Sequence, residues 1–258
     1  MDITQSTPGH HPDRRALARR ALAALDLTSL GEDDDRARIE ALCDAANTAH
    51  GVPAAMCVYP EWIATCRRRL HDLGLQQVAV ATVVNFPEGA ADPARVHRET
   101  RRALAAGAHE IDVVLPWRHL QAGDAAIARA VLDACREACG PNVRMKVILE
   151  TGALETEALT REAAGIALDA GADFLKTSTG KVAVNATPEA ARILLQASHA
   201  RRGQCGFKAA GGIRTLADAA GYFALADDIL GPHWATPERF RFGASSLLGE
   251  ILAVLDAP

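Results

Sequence analysis

Lysine is scarce in this 258-residue chain: of 28 basic residues only four, Lys146, Lys176, Lys181 and Lys208, are lysines, and 24 are arginines. An Ala- and Arg-rich composition explains the scarcity, but not the confinement of all four to one stretch of the second half. Net charge is also nearly absent, at −4. That excludes a sequence-independent nucleic-acid binder, which needs a basic face to displace counterions from phosphates. Aromatic residues make up 4%, and no basic stripe has aromatics interleaved. No apolar run approaches the length of a membrane span. Residues 1–13 lack the apolar core of a secretory signal and are expected to form a tail outside the folded domain of residues 14–258. Clustered cysteines are missing as well. Cys43, Cys57, Cys66, Cys135, Cys139 and Cys205 lie singly in apolar segments, apart from the helically spaced pair at 135 and 139. They read as free thiols of a cytoplasmic protein, and no second ligand cluster supports a zinc site.

What is present is a repeat. Apolar, β-branched runs at Ala24–Leu30, Ala55–Tyr59, Gln77–Val84, Glu110–Leu115, Arg144–Glu150, Asp173–Thr177, Cys205–Ala209 and Arg239–Gly243 alternate with Ala-rich amphipathic stretches. The latter include Asp34–His50, Pro93–Ala106, Thr156–Ala170 and Pro188–Arg201. Thr187-Pro188-Glu189 combines an N-cap, a proline at the first helical position and an acid in the first turn. Gly107, Gly171 and Gly203 stand where helices should stop. Eight βα units without an interrupting linker predict an α/β fold, a single TIM (β/α)8 barrel, with Arg14 to Leu25 as a short N-terminal helix before strand 1. An open doubly wound sheet competes, but no G-x-G-x-x-G follows the first strand.

In such a barrel, functional side chains lie at the C-terminal ends of the strands and in the loops that follow. Those positions hold Asp26, Cys57, Asn85, Asp112, Lys146, Glu150, Lys176, Thr177, Lys208, Gly211, Gly212, Ser245 and Ser246. Three of the four lysines fall inside strands five, six and seven. A strand lysine must point into the barrel or against the helix layer, and neither suits an ammonium without a partner or a task. Snorkelling or a buried ion pair explains one such lysine as well as function does; three on adjacent strands weaken that explanation.

A free lysine has a pKa of about 10.4, so at neutral pH far less than one part in a hundred is free amine. A second ammonium nearby, with partial desolvation, can lower it by about three units, roughly 4 kcal/mol. The exposed amine can then attack a carbonyl to form a Schiff base, which arginine cannot do. Asp112 and Asp26, each within an apolar run, need buried partners and offer proton relay beside an iminium. The Gly211-Gly212 turn and Gly243-Ala244-Ser245-Ser246, which opens the last helix, suggest a phosphate site built from backbone N–H groups and a helix N-terminus.

At these residues the chain resembles a known family. Phe174-Leu175-Lys176-Thr177-Ser178-Thr179-Gly180-Lys181, continuing through Val182 to Pro188, is similar to the signature of deoxyribose-phosphate aldolase. The blocks Glu110–Val114, Lys146–Gly152, Gly206–Lys208, Gly211–Thr215 and Arg241–Ser246 resemble its other blocks in order, from about residue 20 to about residue 253. The resemblance implies a class I aldolase that reversibly joins acetaldehyde and glyceraldehyde 3-phosphate into 2-deoxyribose 5-phosphate, using no metal or other cofactor. By motif position Lys176 would be the Schiff-base nucleophile and Lys208 the ammonium that depresses its pKa. Asp112 would be the acid/base acting through a water, with Asp26 supporting the lysines. Gly180, Gly211, Gly212, Ser245 and Ser246 would bind phosphate. Thr179 and Lys181 would line the phosphosugar side, with Lys181 equally readable as a loop ammonium that attracts substrate, and Cys57 would line the pocket wall. Lys146 is expected to form a structural ion pair near the barrel mouth. The partners implied are small phosphosugar and aldehyde molecules, with no nucleic acid or membrane, and relatives are often homodimers.

The chain departs from the pattern at Ala209, where one branch has proline, and at Glu88, often histidine. It carries no closing tyrosine, so tail-assisted proton transfer is not expected. Two other readings share part of this logic: a different Schiff-base phosphosugar aldolase or transaldolase, and a non-catalytic phosphate-binding barrel. The first would trap a dihydroxyacetone unit rather than acetaldehyde; the second leaves the lysines and acids unexplained.

Overall fold

The computed structural model describes residues 14–257; the expected tail, residues 1–13, lies outside them. Strands β1 (Leu25–Ser29), β2 (Ala55–Val58), β3 (Ala79–Val84), β4 (Glu110–Val114), β5 (Arg144–Ile148), β6 (Phe174–Lys176), β7 (Gly206–Ala210) and β8 (Phe240–Ala244) follow one another as expected, within one or two residues at their ends. All neighbours are parallel, and β8 returns to β1 through Leu25↔Phe242, which closes a single TIM barrel. Helix α1 (Arg14–Ala23) precedes β1. The outer layer is α2 (Arg36–Ala45), α3 (Ile63–Asp72), α4 (Pro93–Ala105), α5 (Trp117–Gln121), α6 (Ala125–Cys139), α7 (Glu157–Asp169), α8 (Pro188–Ala200), α9 (Leu216–Leu230) and α10 (Leu247–Leu255).

Local chemistry sets the helix ends. Thr187 accepts a hydrogen bond from the Ala190 N–H at 3.1 Å, with Pro188 and Glu189 in the first turn as its sequence predicts. Thr215 and Asp218 form a reciprocal capping box at the start of α9. The expected helix Asp34–His50 is shorter, because Asp35 caps it and Thr48 ends the segment in a turn. The Thr48 hydroxyl donates to Gly51 O and accepts from His50 N. Helix α5 and a single 3-10 turn at Pro60–Trp62 are too short to show a helical period in the sequence.

Alternation along the strands separates two environments. One set of side chains, including Leu27, Met56, Val80, Ile111, Val113, Met145, Val147, Leu175, Phe207, Phe240 and Phe242, is buried against the helices in the main core. The opposite set points into the barrel. On β2 and β3 it is small and apolar, with Ala55, Cys57, Ala81 and Val83 forming a separate cluster. Around the rest of the ring it is mostly charged, with Phe174, Ile148 and Gly243 between: Asp26, Glu110, Asp112, Lys146, Lys176, Lys208 and Arg241 are all buried. Branched apolar side chains usually fill this space, so the charged lumen sets this barrel apart.

Gly206 shows how closely the floor is packed. A Cβ there would stand 2.7 Å from both the Arg239 carbonyl oxygen and the Phe174 ring. Gly206→Ala is therefore expected to lower stability by about 1–3 kcal/mol through overpacking, measured by chemical denaturation; an unchanged midpoint would contradict this packing.

Candidate active site

Strand register assembles the charged lumen. Lys176 stands level with Lys208 on β7 and Ile148 on β5, while Lys146 pairs with Asp112 on β4 and with Phe174 on β6. Lys146 therefore lies one inward-facing layer below Lys176. It forms the ion pairs expected of it, but fully buried and below the mouth rather than at it.

Asp112 is the hub. Its two oxygens accept from Lys146 Nζ at 2.7 Å, Lys176 Nζ at 2.8 Å and Lys208 Nζ at 2.8 Å. Asp26 accepts from Lys208 Nζ at 2.5 Å and Arg241 Nη1 at 2.6 Å. Glu110 pairs with Lys146 at 2.6 Å, with Arg241 at 3.1 Å and with Arg144. Room for Lys208 comes from Gly243, where a Cβ would lie 3.0 Å from Lys208 Cε. Glu110, Arg144 and Arg241 received no role from sequence reasoning. A period-two signal was available, since each lies two residues before an inward-facing position: Asp112, Lys146 and Gly243 respectively.

The network divides protonation states. Burial alone would raise the Asp112 and Asp26 carboxyls, but the surrounding Lys146, Lys176, Lys208 and Arg241 cations hold both well below the usual carboxylate range. Glu110 is pushed down to about 2 as Lys146 and Arg241 outweigh its burial. The same carboxylates keep Lys208 and Lys146 above the ordinary lysine value despite complete burial. Lys176 goes the other way. Its burial pushes the ammonium down, Asp112 opposes this, and Lys208 adds to the push. Desolvation leads and the neighbouring ammonium assists, the reverse of the order expected from the sequence.

Above this network opens a cavity of about 290 Å³. Its walls bring together Lys176, Thr179, Gly180, Lys181, Gly211, Gly212, Ser245 and Ser246, with Thr28 and Arg214 in addition. Gly211 and Gly212 have φ of 84° and 85°, which a side chain would strain, and a Cβ on Gly211 would strike Asn185 at 2.7 Å. Ser246 is the N-cap of α10 and makes no side-chain capping bond, so that helix presents its first N–H groups at the cavity wall. Thr179 is oriented by Glu150, which accepts from its N–H at 3.1 Å and its hydroxyl at 2.5 Å. Lys181 reaches across the mouth to donate to Leu30 O at 2.7 Å.

Of three other sequence candidates, one lies in the lumen and two tie loops and strands. Cys57 is fully buried beside Ala55 and Ala81, close enough to Lys176 and Lys208 to act on both electrostatically. Asn85 ties Ala90 O and Val114 O in the loop after β3. The Thr177 hydroxyl bridges β6 to Ala210 on β7.

The depressed carboxyls fix the sign of one pH dependence. A group whose pKa falls on folding stabilises the fold above its unfolded pKa and loses that contribution as pH drops through its folded pKa. For Glu110 the window runs from about 4.3 down to about 2, and for Asp26 and Asp112 from about 3.9 downward. Unfolding free energy from urea titrations should fall steeply below about pH 4.3; a flat profile between pH 4.3 and 2 would contradict the buried pairs.

Residues 20–248 match the DeoC/LacD family aldolase model. A protein of Toxoplasma gondii ME49, provisionally named a deoxyribose-phosphate aldolase, superposes with a TM-score of 0.87 at 25% identity, over 94% of this chain and 95% of its own. A provisionally named deoxyribose-phosphate aldolase from Coccidioides immitis gives 0.77 at 27% identity, covering 93% of this chain and 87% of that one. The tetrameric deoxyribose phosphate aldolase from Aeropyrum pernix shares the fold, with a TM-score of 0.71 at 24% identity over 95% and 93% of the two chains. With a family model spanning most of its length and an eight-stranded barrel to match, the chain belongs to the DeoC/LacD family of aldolases.

Proposed function

We propose that the protein is a deoxyribose-phosphate aldolase of class I, which reversibly cleaves 2-deoxy-D-ribose 5-phosphate to acetaldehyde and D-glyceraldehyde 3-phosphate through a Schiff base on Lys176. The observation that carries this reading is one nearly buried amine, 3% exposed, at the head of the cavity with its pKa lowered and Asp112 at 2.8 Å. Membership of an aldolase family supports carbon–carbon lyase chemistry on small carbonyl compounds.

In the cleavage direction, Lys176 Nζ attacks the C1 aldehyde of the open-chain sugar phosphate. The carbonyl oxygen leaves as water after taking two protons, one from the amine and one from the relay, which gives an iminium. Removal of the C3 hydroxyl proton breaks the C2–C3 bond. Its electron pair moves into the iminium, releasing glyceraldehyde 3-phosphate and leaving a two-carbon enamine. Protonation at C2 and addition of water then free acetaldehyde and restore the amine. Asp112, held ionised, is the accepting end of this relay through a water, and Lys208 is the donating end, anchored by Asp26. Thr179, Gly180, Lys181, Gly211, Gly212, Ser245, Ser246 and the α10 N-terminus bind the phosphosugar end, where oriented N–H groups and a positive dipole favour an anion.

No helix among the described residues is long and apolar enough to cross a membrane. Six free cysteines, all buried, support a reducing compartment. A cytoplasmic homodimer acting in deoxysugar-phosphate degradation completes the proposal.

Incubation with acetaldehyde followed by borohydride should fix one two-carbon adduct on Lys176, located by peptide mass spectrometry. An adduct on another lysine, or none, would refute the mechanism, and trapping only with dihydroxyacetone phosphate would transfer the chain to a different Schiff-base aldolase.

A further inference from the structure

Two charged side chains on the barrel floor have no part in the proposed chemistry. Glu110 on β4 and Arg241 on β8 are buried and bond to one another at 3.1 Å, and the Arg241 guanidinium lies 5.7 Å from the centre of the Phe174 ring. Burying an ion pair rarely improves stability over apolar packing of the same volume, so filling the floor does not by itself account for them. Their connections lead upward. Arg241 pairs with Asp26, Asp26 with Lys208, Lys208 with Asp112, and Asp112 with Lys176. Glu110 pairs with Lys146, which pairs with Asp112.

The charges in this enclosure can be balanced residue by residue. The titratable groups of the enclosure are Asp26 from β1, Cys57 from β2, Glu110 and Asp112 from β4, Lys146 and Arg144 from β5, Glu150 beyond it, Lys208 from β7 and Arg241 from β8. Of these, Asp112, Lys208, Cys57 and Glu150 act on Lys176 directly. Strand β3 adds only Ala81 and Val83, and the exposed Lys181 and Arg214 stand in solvent on the cavity wall. The Cys57 thiol is pushed up by burial and carries no charge. Glu150 is engaged by Thr179. Three carboxylates, Asp26, Glu110 and Asp112, then face three fully enclosed cations, Lys146, Lys208 and Arg241. Arg144 adds a fourth cation from the rim, with its side chain 33% exposed, and Glu150, whose two oxygens accept from Thr179, adds a fourth carboxylate. Lys176 is the surplus cation, and a surplus charge in a buried site is relieved by loss of its proton.

We propose that Glu110 and Arg241 are positioning residues of the aldolase site, which set from the barrel floor whether the Lys176 amine carries a proton. Neither touches Lys176 or the cavity. Each acts by fixing the charge of the ions between, and their effects have opposite sign. Losing the Arg241 cation leaves the carboxylates in excess, so Lys176 keeps its proton to higher pH. Losing the Glu110 anion increases the surplus, so Lys176 gives up its proton at lower pH.

This inference rests on Lys176 as the reactive amine but not on the identity of the sugar, and its test separates the two. Trace acetylation with acetic anhydride across a pH series, read on the Lys176 peptide by mass spectrometry, gives the midpoint of amine exposure without any substrate. Arg241→Met should raise that midpoint by about one pH unit and Glu110→Gln should lower it by a similar amount. The double variant should return it toward the parent value, and Arg241→Lys should leave it in place. Arg144→Met removes a charge that is one-third exposed, so it keeps the test open if a floor variant fails to fold; an upward shift of about half a unit is expected. Opposite shifts with no cleavage of deoxyribose 5-phosphate would uphold the floor's role and reject the substrate. Midpoints that stay put, move the same way in both single variants, or cannot be read because Lys176 never reacts would overturn the role of Glu110 and Arg241, while cleavage would still stand on its own assay.

Discussion

The enclosure of ionised groups inside the barrel constrains everything above it. Each charge taken from water costs several kcal/mol unless partners and hydrogen bonds return it, and here Asp112 alone accepts from three lysines between 2.7 and 2.8 Å. Such a network tolerates little freedom. Removing one member strands its partner, which in buried pairs costs about 3–5 kcal/mol. The same rigidity makes the network useful, because strongly fixed charges decide where the single uncommitted proton goes. Asp26, Glu110 and Asp112 are held ionised and Lys146 and Lys208 are held protonated, which leaves Lys176, at the top of the network and the wall of the cavity, as the group that yields.

The fold supplies the room and the opening. Ala55, Cys57, Ala81 and Val83 keep one side of the lumen small and apolar, and Gly243 gives way to the Lys208 chain. On the solvent side, the turn at Gly211-Gly212 and the start of α10 present backbone donors around the same cavity. The Lys176 amine thus sits between a charged floor and a wall of N–H groups suited to an anion. Lys181, bonded to Leu30 O, joins the loop after β6 to the end of β1 across the mouth.

Much of this was legible in the sequence. Eight β-branched runs separated by Ala-rich segments specify parallel strands with helical crossovers, and the strand lysines marked the lumen. The wall residues from Thr179 to Lys181, at Gly211-Gly212 and at Ser245-Ser246 were readable because loops after barrel strands converge on one face. Less visible was anything that depends on layer. Lys146 was expected near the mouth, yet strand register sets it one layer down, and register between distant strands is not written in either strand alone. Glu110 and Arg241 escaped for a related reason: one begins its strand and the other lies within it, and neither has a visible partner until the closed ring brings β4 and β8 together. Cys57, expected on the pocket wall, stands on the apolar side of the lumen, within electrostatic reach of Lys176. The weight of desolvation over Lys208 in lowering Lys176 depends on complete burial, which composition does not reveal.

The scarcity of lysine makes the central claim directly measurable. With only four lysines, a chain labelled with carbon-13 at lysine Cε gives four side-chain NMR signals, each assigned by a Lys→Arg variant. On raising the pH, the Lys176 signal should convert to the neutral amine below the ordinary lysine value of about 10.4, while Lys146 and Lys208 remain ammonium beyond it. A Lys176 signal that titrates at or above about 10.4, or a Lys208 signal that loses its proton first, would contradict the account.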